Sequence, residues 1–285
     1  MQNILNTLKI LNVTNYHKIA SAIYRDYQVL GFYKNFNKAV QTGGAKVKIK
    51  IHGLSYVFYK TTDGDLIYYS LHQKDDESIK TECILIIVDT EDKVVSLHNI
   101  SYHPKCLNEK NSSGTALLKL AVKVVRVLKT QFGLKYFHLV DNAFKKCGNK
   151  NINLALLSTL IKERTWYGKH GLRPSISGEY AIDKKLESKY EKNTEIMNTT
   201  LTKDAKNLVK YLINAHKSIN PTIKLNDILN LYKQHCNDKL SLFLSKYLEN
   251  YDKTCLMFLY FMNDLAEDIG IYDFHGKPFI YVYDK

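Results

Sequence analysis

Proline is scarce in this chain, four residues in 285, and arginine is scarcer than the charge would suggest, since almost every basic side chain is a lysine. Long apolar runs are missing too. The longest, Cys255 to Met262, falls far short of the roughly 20 residues a membrane-spanning helix needs, so a soluble chain without a membrane partner is expected. Met1 to Val13 carries neither a basic start nor a small-residue cleavage site, so no secretory signal is expected. The five cysteines (Cys83, Cys106, Cys147, Cys236, Cys255) are odd in number and never form a C-x-x-C pair. That pattern argues against a disulfide framework or a zinc ribbon and predicts a cytoplasmic or other reducing intracellular compartment. P-loop and dinucleotide-binding fingerprints are also lacking.

What is present is lysine, asparagine and tyrosine in abundance. This bias follows A/T-rich codons, as in large DNA viruses and some protists, and reports on the genome more than on the fold. A viral source would make the compartment the host cell or the virion. The net charge is +13, and it is not evenly spread. Residues 1–175 hold 26 lysines and arginines against 13 acids, whereas residues 176–285 hold 15 of each. The excess therefore lies wholly in the first part. Such a surface attracts anions, either nucleic acid or a phosphorylated cofactor.

Periodicity divides the chain in the same way. Residues 3–12 and 15–30 have helical spacing, and Lys46 to Ile51 alternates as a half-buried strand. Two further strands flank Thr62-Asp63-Gly64 as a hairpin. Cys83 to Val88 is a short, β-branched apolar run and predicts a central strand, followed by another at Val94 to Tyr102. A helix is expected over Thr115 to Phe132, closed by Gly133, then a strand at Lys135 to Val140, a helix at Asn153 to Glu163 and a short strand at Glu179 to Ile182. Beyond that the pattern is helical: 205–216, 225–235, 240–248 and 254–268, with a final strand at Phe279 to Tyr283. The expectation is an α+β protein, with one domain over residues 1–183 and a mostly helical subdomain over 184–285.

One loop carries chemistry. Asn111-Ser112-Ser113-Gly114-Thr115-Ala116 leads into paired leucines at the start of the long helix. A helix leaves its first N–H groups unpaired and partially positive, and small residues let a pyrophosphate approach them. Taken with the strand His98-Asn-Ile-Ser-Tyr-His-Pro104 before it, this stretch resembles the central signature of the GNAT N-acetyltransferases. Asn111 stands where that family has glutamine or arginine. A second stretch, Thr165-Trp-Tyr-Gly-Lys-His-Gly-Leu-Arg-Pro174, resembles the family's tyrosine-containing segment.

The resemblance implies a mixed, mainly antiparallel sheet flanked by helices, binding acetyl-CoA. It implies cofactor contacts from Ile100, Ser101, Tyr102, Asn111, Ser112, Ser113, Gly114, Thr115, Ala116 and Asn142. A backbone N–H near Ile100 or Ser101 would stabilise the oxyanion. Tyr167 would protonate the departing thiolate. The acceptor would be a primary amine on a small molecule, an amino sugar or a protein lysine, attacking the thioester directly. Val94 to Tyr102 carries no acid, so His98 is the candidate base there. No metal is expected: His98 and His103 are five apart on a strand and so face opposite sides, and Cys106 with His103 lacks a third orienting group. The alternative is an inactive fold of the same kind, structural or nucleic-acid-binding through the basic residues 1–175.

Overall fold

A computed structural model describes residues 45–51, 54–72, 82–103, 106–107, 113–176, 179–201, 206–220 and 222–283. The helices expected over 3–12 and 15–30 lie outside the described residues. The protein is α+β, and its described residues fall into two compact units. The first runs to Leu139 and includes Glu179, Tyr180, Val282 and Tyr283; the second holds 140–176 and 181–281. The compact units thus divide at Leu139/Val140, upstream of the compositional break.

Unit 1 is a sheet. β1 (Ala45–Ile51), β2 (Leu54–Asp63), β3 (Leu66–His72), β4 (Glu82–Asp89) and β5 (Val94–Ile100) form an antiparallel meander. The β2–β3 turn contains Gly64 at φ 57°, a conformation only glycine adopts without strain. β1 alternates as its sequence requires, with Lys46 and Lys48 exposed and Ile49 buried. β4 is buried from Glu82 to Val88, as expected for a strand covered on both faces. β5 then leads into α1 (Gly114–Phe132), which returns the chain to β6 (Tyr136–Val140), parallel to β5. A parallel pair needs such a crossover.

α1 packs on β4, β5 and β1 through Leu117, Leu118, Leu120, Ala121, Val124, Val125 and Leu128. Each such side chain is worth ~1.5–3 kcal/mol of burial when large. Lys119, Lys123 and Arg126 remain exposed on its other side. Gly133, at φ 63°, ends the helix in the left-handed conformation.

Unit 2 is mainly helical. The hairpin β7 (Phe144–Cys147) and β8 (Lys150–Asn153) leads into α2 (Leu154–Lys162), capped by Asn153, whose side chain accepts from the amides of Ala155 and Leu156. β9 (Arg173–Pro174) pairs antiparallel with β10 (Pro278–Val282). Between them lie α3 (Lys184–Met197), α4 (Lys206–Ile219), α5 (Leu225–Gln234), α6 (Leu240–Tyr247) and α7 (Tyr251–Asp268). Their core contains edge-to-face pairs, Tyr232 with Phe243 and Phe258 with Phe261 at 5.8 and 5.2 Å between ring centres. α7 is not buried all round, since Leu256 and Tyr260 are exposed.

Three local outcomes differ from the sequence expectation. The strand expected at Glu179 to Ile182 is reduced to a single bridge, Ser175 with Ile182. α3 has a highly charged sequence and buries only Asn193 and Met197. Its anchor is polar: the Asn193 amide donates to the Tyr272 carbonyl at 2.8 Å and accepts from the Tyr272 N–H at 2.9 Å. Finally, four of the five cysteines pair, Cys83 with Cys106 and Cys147 with Cys255, leaving Cys236 free. The partners are 23 and 108 residues apart, too distant for any spacing rule. The cysteine argument for a reducing compartment is thereby removed. Among the described residues, no helix is long and apolar enough to cross a membrane.

Candidate functional site

In unit 1 one group of candidate residues lies at the end of β5 and another at the start of α1. The β5–β6 pairing runs from Val94/Tyr136 to Leu97/Leu139 and stops there. On the other side, Ile86 pairs with Leu97 and Leu85 with Asn99, so His98 is the extra residue of a bulge. A bulge bends its strand and re-aims the side chains around it. His98 and Tyr102 are exposed, while Ile100 and Ser101 are half-buried.

Beyond the bulge a chain of side-chain hydrogen bonds runs inward. Ser101 Oγ donates to Asn99 Oδ1 at 3.1 Å, and Asn99 Nδ2 donates to Glu82 Oε1 at 2.9 Å. Glu82 begins β4 and is 2% exposed. Its second oxygen, Oε2, has no hydrogen-bond partner among the described residues. Burial pushes its carboxyl up to about 7, with the Asn99 hydrogen bond opposing the shift. β5 carries no acid, but a buried one stands on the neighbouring strand, bonded to Asn99 of β5. Sequence reading starts that strand at Cys83, one residue late, because an acid at a strand edge reads as loop.

Ser101 cannot supply the oxyanion donor, because its N–H donates to the Cys83 carbonyl at 3.0 Å. Ile100, paired with Ile84, is the remaining one of the two expected positions.

Asn111 and Ser112 lie outside the described residues. Ser113 is the N-cap of α1: its backbone is extended and its hydroxyl accepts from the Ala116 N–H at 3.2 Å. Its carbonyl accepts from Leu117 at 3.0 Å. The amides of Gly114 and Thr115 are the first-turn donors this cap does not use. No acid stands in that turn to compete for an anion.

Tyr167 and Asn142 belong to unit 2. Tyr167 is buried, packs on Trp166 with ring centres 5.1 Å apart, and precedes the 3-10 turn Gly168–His170. Burial, and then the nearby charge of Asp141, raise its phenol above the ordinary value. It therefore stays protonated at neutral pH and holds its proton more tightly than a free phenol. Asn142 is exposed.

Asp141, which the sequence reading passes over, is fully buried at the end of β6. Its backbone fixes the loop before β10 through bonds with Lys277 (3.0 Å) and Gly276 (2.8 Å). Its Oδ1 accepts a long bond from the Ala143 N–H at 3.4 Å, and Oδ2 is unpartnered among the described residues. Burial pushes this carboxyl up to about 7, the Ala143 bond opposing and Asp273 reinforcing the shift. A single acid after a strand gives no pattern to read; only its surroundings set it apart. Among the described residues, no three His, Cys, Asp or Glu side chains converge as a metal site.

Comparison of the chain with protein-family models, with curated proteins and with solved structures returns no match.

Proposed function

We propose that the protein is an N-acetyltransferase that moves the acetyl group of acetyl-CoA to a primary amine by direct attack in a ternary complex. The observation that carries this reading is in unit 1: a bulged strand whose parallel pairing ends at Leu97/Leu139 leads into a helix whose first turn has amides left over by its cap. A strand edge beyond the end of its parallel pairing suits the amide groups of a pantetheine arm, and helix N–H groups suit a pyrophosphate. Resemblance in sequence and this arrangement in space are separate arguments for the same cofactor.

In this reading the ammonium form of the acceptor loses a proton first. Glu82 is the better-supported base, because a carboxyl near 7 is half ionised at working pH. His98, exposed on the bulge, is the second candidate. The amine then attacks the thioester carbon, the oxyanion takes a backbone N–H near Ile100, and collapse expels the coenzyme A thiolate. The family resemblance assigns the proton for that thiolate to Tyr167, whose buried phenol stays protonated at neutral pH but is a weaker acid than a free one. The acceptor is an amine on a small molecule, an amino sugar or a protein lysine.

Isothermal calorimetry with acetyl-CoA tests the reading. Micromolar binding that survives physiological salt supports it; no heat at any ligand concentration up to millimolar rejects it. The exposed Lys119, Lys123 and Arg126 on α1, with Lys46 and Lys48 on β1, favour one other reading, a non-catalytic nucleic-acid-binding protein. Retention of DNA with a steep salt dependence, and no acetyl-CoA heat, would select it.

A further inference from the structure

We propose that Asn99, its amide turned by Ser101, is a positioning residue for the base Glu82: it anchors one carboxylate oxygen, Oε1, and leaves Oε2 to take the acceptor's proton. The bulge at His98 makes the meeting possible. Directly opposed residues of an antiparallel pair share a face, and Leu85 opposes both Ser70 on β3 and Asn99 on β5. Ser70 Oγ lies 3.0 Å from His72 Nε2, and His72 opposes Glu82. Asn99 and Glu82 therefore stand on one face of the sheet. Without the extra residue, the register of Ile86 with Leu97 would set Asn99 opposite Ile84, and its side chain would point to the other face.

The hydrogen bonds form a closed circuit across β4 and β5. Asn99 Nδ2 donates to Glu82 Oε1 at 2.9 Å, and Ser101 Oγ donates to Asn99 Oδ1 at 3.1 Å. The Ser101 N–H donates at 3.0 Å to the carbonyl of Cys83, the residue after Glu82. A hydroxyl bonded to Oδ1 decides which end of the amide meets the carboxylate. It is the NH2 end, a donor that favours the ionised form. Oε2, buried and without a hydrogen-bond partner among the described residues, is the oxygen with a lone pair to offer. The proton leaves the acceptor's ammonium nitrogen for Oε2. The N–H electron pair stays on nitrogen as the nucleophile, and an O–H bond forms.

Burial raises the Glu82 carboxyl to about 7, and the Asn99 bond opposes the shift. Among the described residues, the other titratable groups near it are few. His72 opposes it on β3, with Tyr59 edge-on to that imidazole at 5.5 Å. His98 stands on the β5 bulge, and Lys119, Lys123 and Arg126 lie on the exposed side of α1, which packs on β4.

The inference rests on the acetyltransferase reading for its reaction, but the hold on the carboxyl has a readout of its own. The full chain is labelled with 13C at glutamate carboxyls and 15N at asparagine amides and titrated through neutral pH by NMR. In the wild-type chain the Asn99 Nδ2 signal should titrate with the midpoint of Glu82, an observation that needs no variant to fold. Asn99→Leu keeps the volume and removes the donor; it should raise the Glu82 midpoint by about one pH unit. Ser101→Ala should raise it by less, and Ser101→Thr, which keeps the hydroxyl, should leave it at the wild-type position. The acid limb of kcat/KM for acetyl transfer should move upward with the midpoint, because the base must be ionised to act. An Asn99 amide that ignores the ionisation of Glu82 overturns the proposal, as does a midpoint that Asn99→Leu leaves in place. A midpoint that moves while the acid limb stays puts the base elsewhere and overturns the role in the reaction. Coupled titrations in a chain that transfers no acetyl group keep the hold on the carboxyl and remove the acetyltransferase reading.

Discussion

Glu82 in unit 1 and Asp141 in unit 2 are both buried carboxyls pushed up to about 7 by loss of solvent, yet they are held differently. Glu82 accepts a short side-chain bond from Asn99, itself bonded to Ser101 at the exposed end of β5. Asp141 has one long backbone bond, and its main chain fastens the loop before β10. The first is linked through Asn99 to Ser101 at the end of β5; the second is set among contacts with the loop before β10. Similar pKa shifts thus arise in different surroundings, one beside a side-chain hydrogen bond that steadies the carboxyl and one nearly without it.

The largest expected effect lies in the apolar core of unit 2 rather than at either carboxyl. Phe258, fully buried in unit 2, should cost ~3–5 kcal/mol when replaced by alanine. Urea denaturation of Phe258→Ala with a fluorescence readout checks this; a loss below ~1 kcal/mol would mean the unit 2 core tolerates collapse.

Next come the carboxyls themselves. Their ordinary values, 4.5 and 3.8, lie below their folded values of about 7, so the fold binds more protons than the unfolded chain within that interval. Stability should therefore fall as pH rises from about 4 to about 7, by on the order of 3 kcal/mol for each group. Glu82→Gln and Asp141→Asn should each flatten that slope in denaturation curves measured across the window. An unchanged slope in either would show that the carboxyl is already ionised in the fold.

Activity should separate what stability does not. Glu82→Gln should lower kcat about a hundredfold, while Asp141→Asn should leave it within a few-fold in a direct acetyl-transfer assay. The opposite ranking would move the base into unit 2. Tyr167→Phe is expected to slow turnover about tenfold with little change in acetyl-CoA affinity, and an unaltered rate would remove the phenol from the mechanism. The smallest effect belongs to the cap: Ser113→Ala should cost ~1 kcal/mol of stability, seen as a lower denaturation midpoint.

Much of the architecture was legible because it rests on local patterns. The alternation of Lys46 to Ile51 and the apolar run after Glu82 became β1 and β4, and Gly133 closed α1 where a left-handed residue was needed. α3 was not legible, since its tether is one asparagine bonded to Tyr272, 79 residues away. The hairpin of β7 and β8 was missed for a related reason. Phe144, Lys145 and Lys146 are all exposed, so no alternation marks the strand. The candidate site divided likewise: the small residues before α1 could be read directly, whereas the buried acid bonded to β5 stands on β4 and shows only through its hydrogen bond to Asn99.

By itself the sequence determined the periods of its strands and helices, the cap of α1 and the lysine excess of residues 1–175, because each depends on neighbours a few residues apart. Tertiary structure alone decided that Cys83 meets Cys106, that Glu82 faces Asn99 and that Asp141 is sealed from water. Those outcomes depend on burial and on contacts between distant segments, and a carboxyl or a thiol takes its chemistry from whatever surrounds it.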